Sequence, residues 1–351
     1  MSAFAPELIL EILEWLYYTP ADQVDYTSLS SCCLVNHEWR RVAQQLLFRK
    51  VSKIKNEPAQ QLATNIRVLD IEIPSGVDTT AHSQIFARVV TSCTRLYNLG
   101  ITAPSILFLD DLTLSILSSS PPPIKALRIS NAGVQSIILY QLLSIFPSIV
   151  HLALNFELHR YPPRESITHS FYELSVRRAP SARVLKWLLS ASSSSLRILE
   201  MWDMCDRETM HALLDKHSAS LLSFRTLHFD YRTAQFVRGC SNLKEIILYT
   251  IPTGIVPLDW FPKTIECFEF RNPQHASAKR LDRVITIVES LPRLRSITCG
   301  VGTVDHADFL RLRELCEKRG IKIETNNQRF PMVSRLYLYF YILTLHFLTV
   351  R

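Results

Sequence analysis

Eight cysteines, eleven histidines and thirty-two carboxylates are the groups through which this chain could perform bond chemistry. The cysteines stand at 32, 33, 93, 205, 240, 267, 299 and 316, and no two share the gap that C-x-x-C metal or haem ligation needs. No metal and no cofactor is therefore expected. His37-Glu38 opens the zinc-protease pattern H-E-x-x-H, but Arg41 occupies the place of the second histidine. Neither a G-x-S-x-G elbow, a P-loop nor a G-x-G-x-x-G turn is present, in keeping with only 8 glycines. Asp110-Asp111 and the scattered histidines offer acid/base pairs of the kind any chain of 351 residues contains. The expectation is a protein that works by contact, without an enzymatic activity of its own.

Other counts narrow the partners. Apolar residues make up 47% of the chain and charged residues 20%, the composition of a folded globular protein. The formal charge of +7 is spread thinly, its densest groupings being pairs such as Arg40-Arg41 and Arg177-Arg178, so nucleic acid is not an expected partner. Unpatterned cysteines suit free thiols in a reducing compartment, cytoplasm or nucleus. Glu7, Glu11 and Glu14 interrupt the N-terminal apolar run, which does not read as a signal peptide.

The elements that position contact residues begin at Pro6. Proline at a first helical position followed by early glutamates matches the positive end of a helix. Leu8, Ile12 and Leu16 share one stripe of that helix, with Ile9 and Leu13 beside it. A polar break over 17–26 ends it, and a second helical segment carries Leu29, Leu34, Val35, Trp39, Val42 and Leu46 at helical intervals.

The order Ala5-Pro6-Glu7-Leu8, Ile12, Leu16, then Leu34-Val35, Trp39-Arg40 and Leu47-Phe48-Arg49 resembles the F-box, in the form common among fungal F-box proteins. Two positions depart from the usual pattern: Ala5 precedes the proline where leucine is common, and Asn36 follows Val35 where cysteine is frequent. Some fifty residues of short helix bury too little apolar surface to be robust alone, which suits a module that completes its core on a partner. The resemblance implies that the partner is a Skp-type adaptor and, through it, cullin and RING subunits of an SCF-type ubiquitin ligase. It places Pro6, Glu7, Leu8, Ile12, Leu16, Leu34, Val35 and Trp39 at or beneath that contact, without separating contact from core.

From residue 66 an apolar template L-x-x-L-x-L returns ten times at intervals of 19 to 30 residues. Its first instance is Ile66/Leu69/Ile71 and its last Leu294/Ile297/Cys299; one is assigned to Phe224/Leu227/Phe229. Helical spacing fills the gaps at 135–146, 181–191, 206–217, 276–290 and 305–319, and Ile321-Lys322-Ile323 reads as a last strand. The period resembles that of leucine-rich repeats, although none carries the consensus Asn or Cys after the third leucine. The expected fold is thus α/β: a short N-terminal helical F-box over 1–55, then a leucine-rich-repeat-like solenoid with a parallel sheet over 60–328.

Side chains alternate along a strand, so positions flanking the second leucine line the concave sheet. They are Asp70, Glu72 and Arg128; His151 and Asn155; Glu173 and Arg177; Glu200 and Trp202; His228 and Asp230; Tyr249; Glu269 and Arg271. Ten strands about 4.8 Å apart span roughly 45 Å, room for a protein target rather than a metabolite. From Arg128 onward this row, Glu269 apart, is the candidate target-binding face. The remaining segment, 329–351, contains an apolar run at 336–350 that is short for a membrane span of about 20 residues; its role stays open between a capping element, a membrane anchor, an aggregation-prone tail and a translated stretch of non-coding sequence.

Overall fold

The structure, a computed structural model, describes residues 5–17, 19, 24–52, 60–74, 79–104, 106–203, 205–227, 229–250, 258–270 and 281–326. The apolar run at 336–350 lies outside them, as do His228 and Arg271.

Three short helices come first: α1 (Pro6–Trp15), α2 (Tyr26–Cys32) and α3 (His37–Leu47). Pro6 opens α1, and Asp25 caps α2 by accepting from the Ser28 N–H at 2.9 Å. Asn36, the departure from the F-box pattern, caps α3 by accepting from the Trp39 N–H at 2.9 Å. The helices enclose a small core of Ile9, Leu13, Tyr17, Leu29, Val42, Ala43 and Leu46.

Strands and helices then alternate. The order is β1 (Lys50–Ser52), α4 (Gln60–Ala63), β2 (Val68–Glu72), α5 (Thr79–Ser92), β3 (Asn98–Thr102), α6 (Asp111–Ser119), β4 (Ala126–Ser130), α7 (Ile138–Ile145) and β5 (His151–Asn155). After these come β6 (Glu173–Val176), α8 (Ala182–Leu188), β7 (Ile198–Met201), α9 (Arg207–His217), β8 (Ser223–Thr226), α10 (Tyr231–Gly239) and β9 (Glu245–Leu248). The last are β10 (Cys267–Phe270), α11 (Leu281–Ser290), β11 (Ser296–Gly300), α12 (Phe309–Arg319) and β12 (Lys322–Asn326). The 12 strands form one sheet in chain order, and each ladder is parallel. This is the α/β solenoid expected from the repeating template: helices on one face, a parallel sheet on the other.

The template supplies the core. Leu69, Leu99, Leu127, Leu152, Leu174 and Leu199 stand in register across successive strands and are all buried. Asp110, Asp206 and Asp230 each accept from the backbone N–H three residues on, at 3.0, 2.9 and 2.8 Å, so an Asp-x-x-Thr cap starts three of the helices. Gly320 ends α12 with φ of 66°, the left-handed conformation that favours glycine.

The instance assigned to Phe224/Leu227/Phe229 is corrected. Phe224 aligns with Leu199, so the true triplet is Leu221/Phe224/Thr226, and the strand lies three residues earlier than expected. A fully buried Thr226 replaces the third aliphatic, and the apolar residues downstream mimic the pattern. The solenoid also starts earlier than residue 60, because β1 pairs with β2 and carries the sheet to the end of α3. Finally, residues 156–172 join β5 to β6 without a helix, and α7 meets α8 through Tyr140 and Trp187, whose rings are 5.3 Å apart and nearly perpendicular.

Candidate protein-interaction surfaces

Two surfaces hold the candidate residues. On the helical module, Ile9 and Leu13 face its core, whereas Leu8, Ile12 and Leu16 point outward, Leu8 being 49% exposed. Leu34 and Val35, in the turn between α2 and α3, are also outward, Leu34 at 80%. Pro6 and Glu7 are exposed at the start of α1. Trp39 differs: it is half-buried and packs against the module's own core. Outward and core positions, inseparable in the sequence, are thereby sorted.

The sequence reading passed over Trp15, which is 83% exposed and lies on the same stripe as Leu8 and Ile12. Its spacing, three after Ile12 and seven after Leu8, was the available signal. Single exposed apolar side chains are ordinary; four large ones along one helical stripe, Leu8, Ile12, Trp15 and Leu16, are not. The stripe is held in place from behind. Arg49 bonds Glu14 at 2.7 Å and stacks over the buried Tyr17 ring at 5.3 Å, tying α1 to the segment that enters β1.

The second surface is the sheet face turned away from the helices. At its N-terminal end Asp70 and Arg128 form an ion pair across Gly100, whose missing side chain leaves them the space. Asn155 donates to the Ser130 hydroxyl at 3.3 Å. These residues stand apart from the centre, where most of the others converge.

Arg225, displaced from view by the misplaced repeat, is the hub of that centre and is only 3% exposed. Its guanidinium lies 3.3 Å from the Glu245 carboxylate and 3.8 Å from Glu173, and its Nε donates to the Ser223 hydroxyl at 3.3 Å. Burial alone would lower its pKa, but the carboxylates of Glu245, Glu173 and Glu200 outweigh that and hold the charge. His151 Nδ1 lies 3.2 Å from the Glu173 carboxylate.

Beside the hub, Glu200 accepts from the Trp202 indole N–H at 2.7 Å and from the Tyr249 hydroxyl at 3.2 Å. Burial pushes the Glu200 carboxyl up, opposed by those two bonds and by Arg225. The Trp202 and Tyr249 rings are 5.7 Å apart, and the Arg177 guanidinium stands 5.1 Å over the Trp202 ring. The structure thus brings together His151, Glu173, Arg177, Glu200, Trp202 and Tyr249. It does not include Asp230, which caps α10 because the true strand ends at Thr226.

No protein-family model matches the chain, and no match is found among curated proteins. Among solved structures, a Bacteroides fragilis protein determined in a structural-genomics programme is 11% identical, with a TM-score of 0.35, covering 78% of this chain and 70% of its own. The architecture is established by the sheet itself: the described chain is an α/β solenoid with one parallel sheet, preceded by a three-helix module.

Proposed function

We propose that the chain is the substrate receptor of an SCF-type cullin-RING ubiquitin ligase, a non-catalytic subunit. The three-helix module docks a Skp-type adaptor, and the solenoid binds the target protein on its concave face. One observation carries the reading: of the residues placed by the F-box pattern, Trp39 packs on the module's small core, while Leu8, Ile12, Leu16, Leu34 and Val35 form an outward apolar set with nothing of the described chain over them. A surface of this kind is stabilised when a partner removes it from water. The work of the molecule is then proximity. The solenoid holds the target and the module fixes the solenoid to a scaffold, where a separate conjugating enzyme supplies the reactive thioester.

The test is co-purification with a Skp-type adaptor and a cullin. The wild type should capture both, and the double variant Leu8→Asp/Ile12→Asp should bind the adaptor about thirtyfold or more weakly, as central apolar anchors do. Both positions are solvent-facing, so the thermal melt of the variant should match that of the wild type. Capture of the adaptor without cullin would instead favour a scaffold acting outside ubiquitin transfer. Failure to bind any Skp-type adaptor would remove the proposal.

A further inference from the structure

The centre of the outward sheet face bears on what the solenoid would hold. From β6 to β11, the described outward positions hold four carboxylates, Glu173, Glu200, Glu245 and Glu269, against Arg177 and Arg225. Arg225 is enclosed and matched by Glu173 and Glu245. Among these charges, that leaves the stretch negative in a chain whose formal charge is +7. Negative charge collected on one face of a basic protein steers cationic partners toward that face.

At the same place is a structure suited to a single cationic side chain. The Trp202 indole N–H donates to the Glu200 carboxyl at 2.7 Å, which places that acidic group beside the ring. An aromatic face next to a carboxylate attracts guanidinium and ammonium groups, tryptophan most strongly. In this chain the position over the ring is taken by Arg177, an exposed residue just beyond β6. Its neighbour Arg178 points elsewhere and lies 3.7 Å from Asp203. The Arg177 guanidinium therefore marks, from within the molecule, what the Trp202 ring accepts.

We propose that the concave face takes an extended, basic segment of the target protein, one of whose Arg or Lys side chains displaces Arg177 from Trp202. This deepens the receptor reading, on which it rests, by naming the chemistry of the cargo. Arg177, expected from the sequence to be an anchor for the target, becomes an internal competitor for the anchor site.

The experiment uses the full chain and a fluorescein-labelled hexa-arginine peptide, with a hexa-glutamate peptide as control, followed by fluorescence anisotropy at low and high salt. The arginine peptide should bind, and binding should weaken as salt rises. Trp202→Leu should weaken it about fivefold, the size of one partly desolvated cation–π contact. Arg177→Ala should tighten it, and by more than Arg178→Ala, which removes the same charge without uncovering the ring. Equal effects of the two arginine variants, an unchanged affinity in Trp202→Leu, or no binding of hexa-arginine would each overturn the proposal. Arg177 is exposed, so its variant decides the matter even if Trp202→Leu lowers stability. Adaptor capture, measured in parallel, separates the two readings: adaptor bound with the peptide ignored sinks the cargo assignment alone, and the reverse sinks the receptor reading alone.

Discussion

His169 and His217 are buried, and each has an Nδ1 atom without a hydrogen-bond partner. His169 donates from Nε2 to the Phe146 carbonyl at 2.9 Å. Burial holds both pKa values below the ordinary histidine value, and for His217 the Lys216 charge adds to it. The folded state therefore resists a proton that the unfolded chain accepts near pH 6.5, so stability is full above that pH and falls as pH drops through it. Glu200 acts in the opposite sense, since a carboxyl whose folded pKa is raised loses stability as pH rises above its unfolded value. Asp110 and Asp206 have lowered values, so their contribution is lost only below the usual carboxylate range. The histidine effect is isolated by comparing melts of the wild type with His169→Gln/His217→Gln between pH 7.5 and 5. The wild type should lose more of its melting temperature over that interval than the double variant, and parallel curves would show that neither imidazole is held neutral.

Whole elements tell a different story, because each is specified by several residues at once. Nine of the ten apolar triplets sit in the register the sequence implied, and all five expected helices are present, α11 from Leu281 and α12 from Phe309. What escaped was whatever lacked the aliphatic signature. β1 carries only Val51 as an apolar residue, and β8 ends on Thr226. The helices α5 and α6 are rich in Ser and Thr, and α10 buries only Ala234, Phe236 and Val237 as apolar residues; none of the three is among the expected segments. The cost of missing β8 was functional, since it hid Arg225 and drew Asp230 into a face where it does not belong. Conversely, an apolar stripe on α1 was legible, but which of its residues turn outward depends on how α1 packs on α3, which periodicity does not specify. Within the sheet, β3 offers a test of a close approach. A Cβ at Gly100 would collide with the Asp70 carboxylate and the Arg128 guanidinium that meet across it. Gly100→Ala should displace the Asp70–Arg128 pair and cost about 1 kcal/mol of stability, since the colliding atoms are the ends of flexible side chains. Adding Asp70→Ala in the same chain should recover part of that loss, because the two effects share one space; urea unfolding of the single and double variants measures it, and strict additivity would contradict the close approach.

At the scale of the whole molecule, two hydrophobic cores of very different size lie in series. The solenoid buries one continuous cluster from Ala63 to Ile321, whereas α1, α2 and α3 share seven buried apolar residues. A repeat array gains cooperativity from neighbours on both sides, and its middle strands are the last to open. The helical module has only its small core and its junction with the solenoid, made through β1, the Arg49–Glu14 pair and the Tyr26 hydroxyl donating to the Lys50 carbonyl at 3.3 Å, among the described residues. Its amides should therefore exchange with solvent deuterium about tenfold or more faster than those of β4 to β8 in the free protein. Addition of a Skp-type adaptor should slow exchange in α1 and in the turn at 33–35, where Leu34 and Val35 project, while leaving β4 to β8 unchanged. A module as strongly protected as the central strands before any partner is added would have a complete core of its own, and the physical reason for the outward stripe to seek a partner would be gone.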